Sequence, residues 1–174
     1  DRSVQWLMAS GIRLTSPEEA ARAREFAEMR AAWMDEEDLK TLGFFDFQDA
    51  LAAGIAAHHA GMLPVFKETV EELFEAGLVK IVFATETLSL GINMPARSVV
   101  IEDLWKFQGE RHEILTPGEY TQLTGRAGRR GIDELGHAIV VFQRQVPFER
   151  VASLASTRTY ELTSSFRPSY NMAV

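Results

Sequence analysis

The stretch from Ile55 to Thr85 constrains the fold more than any other. Ile55 to His59 reads as a short apolar strand, Pro64 opens a helix, and VKIVFAT (Val79 to Thr85) reads as a buried strand. In the helix Phe66, Val70, Leu73 and Phe74 share one face, and Gly77 ends it. Two strands joined by a helix of this length imply a parallel pair with a right-handed crossover. Ser98 to Ile101 supplies a third strand and His137 to Gln143 a fourth. The reading is therefore α/β: a doubly wound, mainly parallel sheet with flanking helices. Leu104 to Leu115 (LWKFQGERHEIL) interrupts it as an inserted β-hairpin around Gln108-Gly109. Its Trp105 and Phe107 either cover the sheet edge or probe a ligand.

The N-terminal part is helical by pattern. Val4 to Ser10 is a short helix stopped by Gly11. Ser16-Pro17-Glu18-Glu19 combines an N-cap, a proline at the first helical position and a capping-box glutamate. A helix to about Met34 is expected, with Phe26, Met29 and Trp33 as its apolar stripe. Asp35 to Asp38 and GFFDF form a connector, and Asp46 caps a helix ending near Gly54. Beyond Gln143 a last helix spans Pro147 to Leu154, and LTSSFRPSYNMAV completes no element.

Ten residues from Gln122 to Gly131, QLTGRAGRRG, hold one glutamine, three arginines and three glycines. Thr116-Pro117-Gly118-Glu119 is a second capping box, starting a helix expected to carry them. On that helix Gln122, Arg126 and Arg129 fall at i, i+4 and i+7 and share a face. Gly125, Gly128 and Gly131 let a segment or a phosphate approach the backbone. Arginine's planar, permanently charged fork matches phosphate oxygens. The plain alternatives are a basic helix end offsetting the C-terminal dipole and, for Arg129, a surface salt bridge to Asp133 worth about 0–1 kcal/mol. A disordered Arg-Gly tract is disfavoured by the flanking strands.

Composition narrows the partners. The 174 residues are 46% hydrophobic, enough for one compact domain with a core. The net charge of −7 argues against a protein that coats nucleic acid non-specifically. Ten acidic against four basic residues lie between Thr15 and Asp49, so most of the excess sits there. A nucleic-acid contact is then a local groove. No apolar run is long enough to span a bilayer, so no membrane partner is expected, and DRSVQW does not resemble a signal peptide. Zero cysteines exclude disulfides and thiolate metal sites and fit a reducing compartment; a cytoplasmic location is the expectation.

In open α/β sheets ligands bind beyond the carboxyl ends of the strands. That places HHAG (His58 to Gly61) and TETLSLGINMP (Thr85 to Pro95) on one edge. Thr85 and Thr87 offer hydroxyls, Gly61 and Gly91 close backbone approach, and Asn93 an amide for a ribose or backbone group. GINMP read merely as a tight turn is the alternative. His58 and His59 point to opposite faces of a strand and have no third ligand at a suitable spacing, so no metal is expected. No Walker A sequence occurs.

Together these segments resemble the Ski2-like superfamily 2 DExH-box RNA helicases, specifically their C-terminal RecA-like domain. IAAHHAGMLPVFKETVEELFEAGLVKIVFATET is similar to motifs IVa and V, and LGINMPARSVV completes motif V. KFQGERHEILTPGEYTQLTGRAGRRGID is similar to the hairpin and motif VI, and SSFRPSYNM to the entry into a winged helix. The likeness is close from Gly54 to Asp133 and looser on both flanks. It implies a second RecA-like domain over residues 1–156, its first strand missing, and a linker into a winged-helix domain over 157–174.

The resemblance also implies roles. Arg126 and Arg129 reach the γ-phosphate of ATP, Arg129 as the arginine finger, with Gln122 at the same nucleotide edge. Gly91 and Asn93 lie on the ATP side of motif V, and Thr85 contacts the nucleic-acid backbone. His59 and Gly61 line the path of the strand, and the hairpin with Trp105 and Phe107 sits where duplex strands part. ATP and Mg are held mainly by a first RecA-like domain, whose P-loop and DExH box this sequence lacks. The arch insertion and the winged-helix body are lacking too, so no ATPase activity is expected of the chain alone. RNA is the implied substrate, with the first RecA-like domain, the winged-helix domain and RNA-degradation machinery as partners. The alternatives are a Ski2-like DNA helicase of the Hel308 type and a nucleic-acid-binding module without turnover.

Overall fold

A computed structural model describes residues 2–85, 94–107 and 112–157. The chain divides into two compact units, Asp1–Met94 and Pro95–Val174.

In the first unit α1 (Arg2–Ala9) ends at Gly11, where φ is +73°. The predicted capping box forms at α2 (Pro17–Ala31): Ser16 Oγ accepts the Glu19 N–H at 3.2 Å and Glu19 Oε2 accepts the Ser16 N–H at 2.9 Å. The apolar stripe is not the predicted one. Ala23, Ala27 and Ala31, at i, i+4 and i+8, are the buried residues of α2, whereas Met29 and Trp33 are 61% and 73% exposed. Small side chains let α2 lie close against α4 (Phe44–Ala52), and Gln48 of α4 donates to Glu28 Oε1 at 2.8 Å. Of the expected stripe, only Phe26 packs against the core.

The predicted connector is itself a short helix, α3 (Glu36–Thr41), capped by Asp35, whose Oδ1 accepts the Asp38 N–H at 2.8 Å. Asp46 is not a cap. Gly43, with φ +69°, turns the chain into α4, and Asp46 lies in the first turn.

The crossover unit forms as expected. Strands β1 (Ile55–His58) and β2 (Ile81–Ala84) pair in parallel, Ile55 opposite Ile81 and His58 opposite Ala84. Between them α5 (Pro64–Glu75) buries Phe66, Thr69, Val70 and Leu73. Leu51, Ile55, Val70 and Leu73 are essentially solvent-free; each contributes about 1.5–3 kcal/mol of burial. Phe47 stacks on Phe66 at 4.8 Å between ring centroids. β2 is shorter and less buried than its sequence suggests. Ile81 is 38% exposed, and among the described residues β2 pairs only with β1.

In the second unit β3 (Ser98–Ile101) and β6 (His137–Val140) are parallel, and β4 (Trp105–Phe107) and β5 (His112–Ile114) form the predicted antiparallel hairpin. Helices α6 (Pro117–Thr124) and α7 (Phe148–Ser156) complete it. Its core holds Ile101, Leu104, Leu115, Tyr120, Val146 and Leu154. Helices around parallel strands bear out the α/β reading. No helix among the described residues is long and apolar enough to cross a membrane.

Candidate functional site

The arginine stretch is a pinned loop, not a helix face. Thr116 caps α6 as predicted, its Oγ1 accepting the Glu119 N–H and its own N–H donating to Glu119 Oε2 at 2.8 Å. The helix stops at Thr124, with Gly125 as its C-cap. Gln122 stays in the last turn, exposed, while Arg126 and Arg129 lie beyond the helix. The i, i+4, i+7 alignment is therefore not formed. A competing partner explains this. Ala96 N–H donates to the Arg126 carbonyl at 2.9 Å, and Gly128 N–H donates to the Ala96 carbonyl at 2.7 Å. This parallel bridge takes the backbone groups that another helical turn would use.

Of the stretch's glycines, Gly128 serves this packing. Gly128 adopts φ +89°. A Cβ on Gly136 would meet the Ala127 carbonyl and the Gly128 nitrogen at 2.5 Å. The segment that approaches the bare backbone is thus the start of β6.

Arg129 is oriented by Asp133, whose side chain is 9% exposed while that of Arg129 is 40% exposed. Nε donates to Oδ2 at 2.8 Å and Nη2 to Oδ1 at 2.9 Å, a bidentate fork, and the Arg129 backbone N–H adds a third bond at 3.0 Å. The guanidinium and that N–H hold the Asp133 carboxyl well below the usual carboxylate range. The loop thus presents a fixed, partly exposed cation. The Arg126 carbonyl anchors the bridge, and its Nε is out of contact with solvent.

Trp105 does not stand out as a probe: it is half-buried against the second unit's core. Its backbone N–H donates to Asp103 Oδ1 at 2.8 Å, and Gln143 Nε2 donates to the same oxygen at 2.9 Å. These donors, Trp105 first, lower the Asp103 carboxyl. Phe107 ends β4, and the turn at 108–111 lies outside the described residues.

In the first unit, parallel β1 and β2 send His59, Gly61 and Thr85 from the same carboxyl end, and Thr85 N–H donates to the His58 carbonyl at 3.3 Å. Thr85 is exposed. Gly61 N–H donates to His59 Nδ1 at 3.2 Å. In the neutral ring this leaves the proton on Nε2, a donor suited to a phosphate oxygen. His58 is buried instead and meets Glu71 Oε1 of α5 at 2.7 Å. Thr87, Gly91 and Asn93 lie outside the described residues. Among the described residues no cluster of three potential ligands could hold a metal.

Residues 17–131 match the family described as "Helicase conserved C-terminal domain". The chain belongs to that family. Its RecA-like fold accords with the parallel pairs and flanking helices seen here. This helicase C-terminal domain is 60% identical over 174 residues to "Probable helicase HelY" of Mycobacterium tuberculosis, covering all of the chain and 19% of that protein. It is 42% identical over 167 residues to "DExH-box ATP-dependent RNA helicase DExH11" of Arabidopsis thaliana, covering 94% of the chain and 12% of that protein. It is also 48% identical over 120 residues to "DExH-box ATP-dependent RNA helicase DExH10" of the same plant, covering 69% and 12%. The chain spans about a fifth or less of these relatives.

Two contacts in this helicase C-terminal domain escaped the sequence reading. One is His58 with Glu71, thirteen residues apart. The other is Lys106 of β4 with Glu119 of α6, also thirteen apart and mostly buried. Neither spacing belongs to a helix or strand period, so no local signal marks them.

Proposed function

We propose that this chain is the C-terminal motor half of an ATP-dependent RNA helicase of the Ski2-like group. Residues 1–156 form its second RecA-like domain, and 157–174 begin a linker to a winged helix. ATP and Mg are held by a first RecA-like domain of the same protein, with Gly91 and Asn93 at the nucleotide edge. When bound, ATP supplies the phosphoryl group whose transfer drives the cycle. Arg129 is the arginine finger, and Arg126 and Gln122 are its companions. His59, Gly61 and Thr85 grip the single strand, and the hairpin bearing Trp105 and Phe107 parts the duplex. The chain alone, without a phosphate cradle, does not turn over ATP.

The observation that carries this reading is the Arg129–Asp133 fork on a loop pinned by the Ala96 bridge. Charge developing in a transition state is best met by a cation already in place, because no reorganisation is then needed. Asp133 does that orienting, while the guanidinium keeps an exposed edge. A purely structural salt bridge would make the same fork, and turnover of the Arg129 variants is what separates the two readings. The RNA-helicase names among the relatives favour RNA over the DNA alternative.

The test uses the complete two-domain protein. Arg129→Ala and Arg129→Lys should each lower kcat for ATP at least about a hundredfold at saturating RNA. Single-strand binding without nucleotide should change little. Arg129→Lys keeps the charge toward Asp133, so an unchanged melting curve for it excludes misfolding. Near wild-type kcat in both variants would remove the finger role.

A further inference from the structure

We infer that the Lys106–Glu119 ion pair couples the hairpin to the arginine loop, which makes Lys106 a positioning residue for strand separation. This rests on the strand-parting reading of the hairpin. Alternation along β4 puts Lys106 on the opposite side from Trp105, whose ring joins the core. Across the hairpin Lys106 stands opposite Glu113, the carboxylate that a strand pair would ordinarily use. Its Nζ contacts Glu119 Oε1 instead, with only 10% of the Lys106 side chain and 24% of the Glu119 side chain exposed. Ion pairs this enclosed are costly to desolvate, and removing one partner leaves the other charge buried and uncompensated.

Glu119 is also no ordinary partner. Its Oε2 accepts the Thr116 N–H at 2.8 Å and the Thr116 hydroxyl at 2.7 Å, so one carboxylate fixes the start of α6 and holds the hairpin. The helix has eight residues, about 12 Å of rise. Its far end runs through Gly125 directly into the pinned segment with Arg126 and Arg129. A short rigid rod therefore has the hairpin attached at one end and the arginine loop at the other. At the hairpin base Leu115 N–H donates to the Leu104 carbonyl at 2.9 Å, and both side chains sit in the second unit's core.

The experiment measures duplex unwinding rate and ATP turnover on the same sample of the full-length enzyme and takes their ratio. A loss of folded enzyme lowers both and cancels, so a merely structural role leaves the ratio unmoved. Lys106→Met keeps the aliphatic stem without the charge, and Glu119→Gln keeps one carbonyl oxygen to accept from Thr116. Each should lower the ratio by about three- to thirtyfold. The double variant should fall no further, because both remove one contact, and Lys106→Arg should restore most of the ratio. Wild-type ratios in both single variants, or losses that multiply in the double variant, would overturn the coupling. A variant with residues 105–115 replaced by a short Gly-Ser turn separates the two claims. If it unwinds normally, the strand-parting reading fails and the coupling with it. If it cannot unwind while Lys106→Met keeps the wild-type ratio, the coupling alone fails.

Discussion

Gly136→Ala tests the packing that shapes the arginine loop. The added Cβ would lie 2.5 Å from the Ala127 carbonyl carbon and oxygen and from the Gly128 nitrogen. Ordinary non-bonded contact is roughly 3.5–4 Å, so the two segments must part by about 1 Å. All three atoms are backbone, and no side-chain rotation relieves them. Overpacking of this kind costs about 1–3 kcal/mol. The Ala96–Arg126 and Gly128–Ala96 hydrogen bonds, at 2.9 and 2.7 Å, lie in the segment that must move. Each adds about 0.5–1.5 kcal/mol if lost. The total of roughly 2–6 kcal/mol corresponds to a fall in Tm of about 4–24 °C for a chain of this size. Gly131→Ala is the control. Gly131 has φ +78° and open space around its Cβ position, so only the left-handed backbone penalty, about 1–2 kcal/mol, applies. Thermal melts of the two variants should therefore rank Gly136→Ala clearly below Gly131→Ala. A Gly136→Ala protein melting within about 2 °C of wild type, or above Gly131→Ala, would refute the argument.

Other expectations follow from single contacts. Thr85→Val should weaken single-strand RNA affinity about ten- to a hundredfold, equally across sequences, since a hydroxyl on a phosphate is worth roughly 1.5–3 kcal/mol; unchanged filter binding would return Thr85 to a plain strand end. Asp133 has a folded-state pKa below its unfolded value, so its contribution is full above about pH 4 and is lost as pH falls toward the depressed value. The gap in Tm between wild type and Asp133→Asn should accordingly be widest near neutrality and shrink below about pH 4; a gap independent of pH would contradict the ion pair. Ala27→Leu should destabilise by about 1–3 kcal/mol because Ala27 is 1% exposed in the core. Trp33→Ser, at a position 73% exposed, should stay within about 0.5 kcal/mol. Urea melts showing the reverse order would restore Trp33 to the core.

What could be read without coordinates was what nearby residues decide among themselves. Both capping boxes, the apolar face of α5, the parallel β1–β2 pair and the hairpin depend on spacings of a few residues or on one helix-length connection. The resemblance to helicase motifs was legible for the same reason, each motif being a short contiguous string. Tertiary structure decided wherever two distant segments compete for one group. Gln122, Arg126 and Arg129 have a helical spacing, yet the Ala96 backbone claims the hydrogen bonds that would have extended α6, and the arginines end in a loop. Met29 and Trp33 have an apolar spacing too, but α2 turns Ala23, Ala27 and Ala31 to the core because only small side chains let it approach α4. Lys106 passes over its cross-strand neighbour Glu113 for Glu119. In each case the local pattern permits two outcomes, and the backbone bond, close approach or enclosed charge that separates them comes from a part of the chain that no local window contains.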